Sequence, residues 1–216
     1  MKIEKNIAKQ FTDYMKKYPK LYEDLAKLIK KVANDKNNEI KILDLGSGPA
    51  LINKEIKKIL PNSIIYSLDQ SSEMLKNAQN YTFKGEIQKI NGILSNAENI
   101  PLKSDSMDII ISRFSLSYWE NPNLVIKEIK RVLKPDGKLI LEFLNKKYPK
   151  WKLNLIKIHM RIKFAGNNVI KYHIDAYKNA YDLDKVKELI NKNKLTIIKI
   201  NGKKRNWKYT IVSEFK

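Results

Sequence analysis

The segment Ile42-Leu43-Asp44-Leu45-Gly46-Ser47-Gly48-Pro49-Ala50 constrains this chain more than any other. An apolar run enters it, two glycines interrupt it, and apolar residues at helical spacing leave it. That order predicts a buried strand, a tight turn, and a helix whose first backbone N–H groups face whatever occupies the turn. Glycine adopts φ > 0 without steric cost, so Gly46 and Gly48 allow a sharp turn and the close approach of a ligand. Asp44 ends the strand and places a carboxylate where a cationic ligand group can meet it. The carboxyl edge of a parallel sheet is where open α/β folds bind nucleotides.

The same alternation continues along the chain. Residues 1–36 predict two helices: Ile7, Phe11, Tyr14, Met15 and Tyr18 recur at helical spacing up to Pro19, and Leu21, Leu25, Leu28, Ile29 and Val32 share a face beyond it. Strands are predicted at 40–46, at 63–68 ending in Asp69, near 87–90, at 108–112 and at 138–144. Helices fall between them near 50–60, after a cap at Ser71 or Ser72, and near 124–133, where Lys134-Pro135-Asp136-Gly137 stops the pattern. The end differs. A helix near 183–191 precedes strands at 195–200 and 207–214, joined through the turn signal Asn201-Gly202. The expected fold is a doubly wound, seven-stranded, mostly parallel α/β sheet with a C-terminal antiparallel hairpin, in one domain spanning 1–216.

Composition narrows the chemistry. Cysteine is absent, which excludes disulfides, cysteine-ligated zinc and a cysteine nucleophile. No metal-ligating pattern is visible. The net charge of +20 invites a nucleic-acid reading, but lysine is spread over nearly every segment, as a general bias in residue usage produces. No apolar run approaches the roughly 18 residues of a membrane span and the charged start MKIEKNIAKQ is unlike a signal peptide, so a cytoplasmic protein is expected.

Two cofactor readings compete for the glycine turn. A dehydrogenase fingerprint needs a third glycine where this chain has Leu51. The alternative fits more of the chain. ILDLGSGPA, then YSLDQSSEMLKNA, then SNAENIPLKSDSMDIIISRFSLSYWENP and VIKEIKRVLKPDGKLILEF resemble, in order, the motifs of class I S-adenosylmethionine-dependent methyltransferases. The resemblance covers residues 40–144 and implies their Rossmann-like fold, S-adenosyl-L-methionine as cofactor and S-adenosyl-L-homocysteine as product. It implies that Asp44 and the Gly46-Ser47-Gly48 backbone hold the methionine end. Asp69, 21 residues past Gly48, would accept from the ribose hydroxyls. Gln70 and Met74 would lie beside the adenine, Asn96 and Ala97 at its edge, and Ser112 to Phe114 would face the methyl donor. Ala50 stands where the family commonly has a third glycine, a replacement expected to be harmless at a helix start. Asn96 replaces the usual aspartate, with Ser95 before it in place of a glycine, and keeps an amide oxygen to accept from the adenine amino group.

On the acceptor side, methyltransferases of base or glutamine nitrogens carry an Asp/Asn-Pro-Pro-aromatic sequence after strand four. This chain reads Ser112-Arg113-Phe114-Ser115-Leu116-Ser117-Tyr118-Trp119, which resembles the small-molecule branch, including the ubiquinone- and menaquinone-biosynthesis type. In-line displacement draws on donor–acceptor alignment, and an oxygen or carbon acceptor also needs a base. His173 and Tyr118 are the candidate catalytic residues, with His159 and Tyr177 beside them; Tyr14 and Tyr18 carry polar tips able to reach a ligand. The segment 145–182 is the expected substrate-side insertion. Its lysines and Arg161 interleave with Tyr148, Trp151, Leu155, Ile158, Ile162 and Phe164. Ile156 to Phe164 alternates, yet Trp151, Leu155, Ile158 and Ile162 also share a helical face, so strand and helix both remain open. Such a basic amphipathic piece suits a membrane surface, an acidic substrate or a phosphate backbone, or simply covers the sheet. The expected function is methyl transfer to a small molecule, with an acidic or lipid-like acceptor and peripheral membrane contact both left open. An RNA methyltransferase and a non-catalytic interaction module that keeps the cofactor fold are the alternatives.

Overall fold

The central strands carry apolar residues at successive positions, so each strand writes both faces of the sheet. In β1 (Lys41–Leu45), Ile42 packs on one face and Leu43 and Leu45 on the other; in β4 (Met107–Arg113), Ile109 and Ile111 share the first face and Ile110 takes the second. A computed structural model describes residues 4–33, 39–82, 91–163 and 167–215. Its seven strands run in the order β3-β2-β1-β4-β5-β7-β6, with β2 at Ile64–Asp69, β3 at Asn91–Leu94, β5 at Leu133–Leu144, β6 at Leu195–Asn201 and β7 at Lys208–Phe215. The first five pair in parallel, and β7 inserts antiparallel between β5 and β6. This is the predicted doubly wound sheet with its hairpin.

Helices α1 (Lys5–Met15), α2 (Pro19–Val32), α3 (Leu51–Ile59), α6 (Lys150–Ile162) and α7 (Asn167–Lys178) pack on the Ile42/Ile109 face. α5 (Pro122–Val132) and α8 (Leu183–Lys192) cover the other, where Val125, Ile126, Ile129, Val186 and Ile190 meet Leu43 and Ile110. α4 (Ser72–Asn77) is capped by Ser71, whose Oγ accepts from the Met74 N–H at 3.3 Å.

Several expectations shift. Pro19 ends the first helical pattern but opens α2, where its missing N–H costs nothing. The strand expected near 87–90 lies outside the described residues, as does Phe164; β3 is seen from Asn91. β5 begins at Leu133 instead of Lys138, because Leu133 already pairs with Met107 ahead of a register shift. The ambiguous stretch after Lys150 is helical. Ala50 is not harmless: it sits at φ 50, a left-handed conformation that strains any residue with a Cβ, and is fully buried. No described helix is long and apolar enough to cross a membrane, and no group of three or more described His, Asp or Glu residues is placed to hold a metal.

Candidate functional site

The carboxyl ends of β1, β2 and β4 open into a cavity of about 500 Å³. Its floor is the glycine turn. Gly46 and Ser47 both donate backbone N–H bonds to the Leu68 carbonyl, at 2.8 and 3.0 Å, which ties the turn to the neighbouring strand. Asp69 clasps the turn from β2: one carboxylate oxygen accepts from the Gly48 N–H at 2.8 Å and the other from the Ser71 N–H at 2.8 Å. The two glycines serve different ends. A Cβ on Gly46, at φ +73, would meet Ser115 Cβ at 2.6 Å, so this glycine admits the chain leaving β4 more than it admits a ligand. A Cβ on Gly48, at φ +54, would meet nothing within 4 Å; this is the glycine that leaves room for a guest.

Asp44 is 2% exposed, and its Oδ2 and the Ser47 Oγ are buried without a partner among the described residues. Burial pushes the Asp44 carboxyl up to about 8, with help from Asp69 and against the pull of Arg113. Asp69 is also raised by burial, opposed by the two N–H groups it accepts from. Unsatisfied buried acceptors beside an empty-sided glycine describe a cradle for a polar, cationic group.

Asp44, Gly46, Ser47, Gly48, Asp69, Gln70, Met74, Asn96 and Ala97 all line this one cavity. Asn96 is partly committed, its Oδ1 accepting from the Glu98 N–H at 3.1 Å. The loop it belongs to is pinned by Arg131, which donates to the Ile100 and Leu102 carbonyls at 2.8 Å each. Ser112 does not reach the cavity. It is 1% exposed and its hydroxyl pairs with that of Ser115, which lines the wall in its place.

The opposite wall is aromatic. Tyr118 stacks on Tyr172 at 4.9 Å between ring centroids, and its hydroxyl donates to the Tyr172 carbonyl at 3.3 Å. Burial raises the Tyr118 pKa, so this hydroxyl stays protonated. His173 sits edge-on to Tyr177 at 5.7 Å, and burial lowers its pKa to about 4, which holds the imidazole neutral. From the helical cover, Tyr18 Oη meets His159 Nε2 at 3.0 Å and donates to Tyr14 Oη at 3.2 Å.

Arg113 lines the cavity beside the turn, and Glu142 holds it from the strand behind. Arg113 and Glu142 are register partners at the ends of β4 and β5, and Nε of the first donates to Oε1 of the second at 2.8 Å, with side chains 8% and 2% exposed. Glu142 also accepts from Lys208 Nζ and from Thr210 Oγ1 on β7. One carboxylate therefore serves two cations. The Arg113 guanidinium lies 4.3 Å from the Tyr22 ring centroid and 4.8 Å from that of Phe114, and both its Nη atoms are buried without partners among the described residues. Phe114 itself is held at φ 56, a strained conformation for an aromatic residue of the kind that collects at functional sites. Glu142 was legible as an anomaly, a charge inside the run Leu139-Ile140-Leu141-Glu142-Phe143-Leu144, which demands a buried partner.

Comparison with known proteins agrees with this geometry. Residues 43–141 match the family model described as "Methyltransferase domain". The chain is 31% identical over 212 residues to the uncharacterized protein MJ1252 of Methanocaldococcus jannaschii, covering 90% of this chain and 78% of that one. It belongs to the class I S-adenosylmethionine-dependent methyltransferase family. It is also 37% identical over 113 residues to the ubiquinone/menaquinone biosynthesis C-methyltransferase UbiE of Wigglesworthia glossinidia brevipalpis, 51% of this chain and 45% of that one. The chain spans less than half the length of most of the first curated relatives it matches. Its fold superposes on a SAM-dependent methyltransferase from Aquifex aeolicus with a TM-score of 0.65 at 17% identity, covering 90% of this chain and 97% of that one. The methyltransferase cradle fits the family's cofactor on its own chemistry: the orphaned Asp44 and Ser47 oxygens and the open side of Gly48 suit the ammonium-bearing methionine end, and Asp69 keeps lone pairs for hydroxyl donors.

Proposed function

We propose that this chain transfers a methyl group from S-adenosylmethionine to a small molecule held against the aromatic wall. One observation carries the acceptor class. The chain has 43 lysines and arginines, yet among the described residues Arg113 alone of these lines the cavity. A phosphate backbone needs a basic track, and this cavity supplies aromatic rings instead. The quinone-ring methyltransferases among the relatives support an acceptor with a flat, partly apolar body.

When bound, the cofactor supplies an electrophilic methyl on a sulfonium. Asp44 and the Gly46–Gly48 turn would hold its methionine end and Asp69 its ribose, leaving the aromatic faces to exclude water and orient the acceptor. Gln70, Met74, Asn96 and Ala97 would frame the adenine. His173 is the base we assign where the acceptor must lose a proton, since it is neutral and inside the cavity. A base that weak serves an acceptor whose own proton is already acidic. Tyr118 is not assigned that role, because its hydroxyl is committed to a carbonyl and resists ionisation.

Titration calorimetry with S-adenosylhomocysteine, followed by label transfer from S-adenosylmethionine to a panel of phenolic, quinol-type and carboxylate acceptors, tests the reading. We expect stoichiometric binding and turnover on at least one ring acceptor; transfer confined to RNA would overturn it.

A further inference from the structure

Helix α6 is apolar on two opposite sides. Leu153, Ile156 and Met160 turn inward: Met160 is fully buried in the core, and Ile156, with His159, forms part of the cavity wall. Trp151, Leu155, Ile158 and Ile162, spaced by four, three and four residues, form a second stripe on the outer side. They are 62%, 55%, 52% and 66% exposed, and they make up half of the large apolar side chains that the described residues leave in water. A cover that only packs on the sheet has no reason to carry this outer stripe.

The flanks of the stripe say what meets it. At 100° per residue, Lys150, Lys157 and Arg161 fall along one edge and Lys152 and Lys163 along the other, and no carboxylate occurs from 150 to 163. An apolar stripe with Trp at one end, bordered on both sides by cations, matches the boundary of an anionic bilayer: rings and aliphatic chains enter the acyl region while the cations meet phosphates. A second copy of this chain would instead set like charge against like along both edges.

We infer that α6 is an interfacial helix that seats the protein on an anionic lipid surface, with the cavity mouth beside it. That an acceptor then enters from the lipid phase rests on the function proposed above, but the docking itself needs neither cofactor nor acceptor. The two therefore fail separately.

Flotation with vesicles of phosphatidylcholine alone, and with roughly 30 mol % phosphatidylglycerol, tests the surface directly. Binding is expected to the anionic vesicles, to weaken as salt rises, and to be accompanied by a blue shift of tryptophan fluorescence that the Trp151→Phe variant loses while still floating. The double variant Leu155→Glu/Ile158→Glu, at exposed positions outside the cavity, is expected to melt like the parent and to bind about a hundredfold more weakly. No flotation with anionic vesicles, or undiminished flotation of the double variant, overturns the inference. So does a parent dimer that the double variant converts to monomer without any vesicle binding, or a surface that retains RNA and not lipid.

Discussion

The wall formed by β1, β2 and β4 presents the glycine turn and two carboxyl groups, whereas the wall formed by α1, α2, α6 and α7 presents rings. The first is fixed by sheet register: Leu45 lies opposite Leu68 and Ser112, so Asp44, Asp69 and the glycine turn are held within strand spacing of one another. The second is set by helix packing, where Phe11 meets Tyr172 and Tyr18 meets His159 across long stretches of sequence. A wall built on register tolerates little change, and a wall built on packed side chains can be retuned. Under the function proposed above, donor recognition falls to the first wall and acceptor choice to the second.

Arg113 joins the two walls, and removing it gives the largest expected effect. Arg113→Met leaves Glu142, 2% exposed, with one cation fewer and takes the guanidinium from between Tyr22 and Phe114. We expect a loss of about 3 kcal/mol in denaturant unfolding. A loss below about 1 kcal/mol would mean that Lys208 and Thr210 satisfy Glu142 alone and that the walls are energetically separate.

Next comes the glycine pair, which tests how rigid the register-built wall is. Gly46→Ala combines a left-handed φ with an overlap on Ser115 and is expected to cost about 2–3 kcal/mol; Gly48→Ala meets no neighbour and is expected to cost about 1 kcal/mol. Equal losses would show that backbone strain, not the close approach of the β4 exit, sets both positions.

A pH dependence separates the walls by sign, and between pH 4 and 6.5 the two contributions oppose each other so that only a small net change remains. Asp44 holds its proton in the folded chain up to about pH 8, whereas the unfolded chain releases it near 3.8, so stability falls as pH rises between those values. His173 stays neutral in the folded chain down to about pH 4, whereas the unfolded chain protonates near 6.5, so its contribution falls as pH drops through that window. Above pH 6.5 the His173 contribution is complete and Asp44 sets a falling slope of up to about 1.4 kcal/mol per pH unit, with Asp69, also raised by burial, acting in the same direction. Thermal melts from pH 4 to 8 should show Asp44→Asn flattening the alkaline side and His173→Gln removing the opposing acid-side term. Asp44→Asn is also expected to weaken S-adenosylhomocysteine binding about tenfold or more.

The strand-built wall was legible in the sequence because its signals are local. Two glycines, an acid before them and an acid at the end of the next strand lie in one continuous segment, and each owes its identity to backbone conformation or strand position. Local reading also has a reach, and Ser112 and Ala50 mark it. Alternation along β4 is correct, yet the turn that follows lifts Ser115 into the cavity ahead of Ser112. The left-handed φ of Ala50 belongs to the way the turn enters α3, which no pattern of residue types records. Arg113 and Glu142 were visible as charges in apolar company, but their partnership depends on the pairing of β4 with β5 and then β7.

By itself, the sequence determined the alternation of strands and helices, the glycine turn and the two acids, because backbone geometry and hydrophobic period act over a few residues. Only the tertiary structure decided that, among the described residues, eleven aromatic side chains share one cavity and lysines stay out of it, and that the outer stripe of α6 faces water. Those outcomes depend on how elements more than a hundred residues apart pack together, and period along the chain carries no record of that distance.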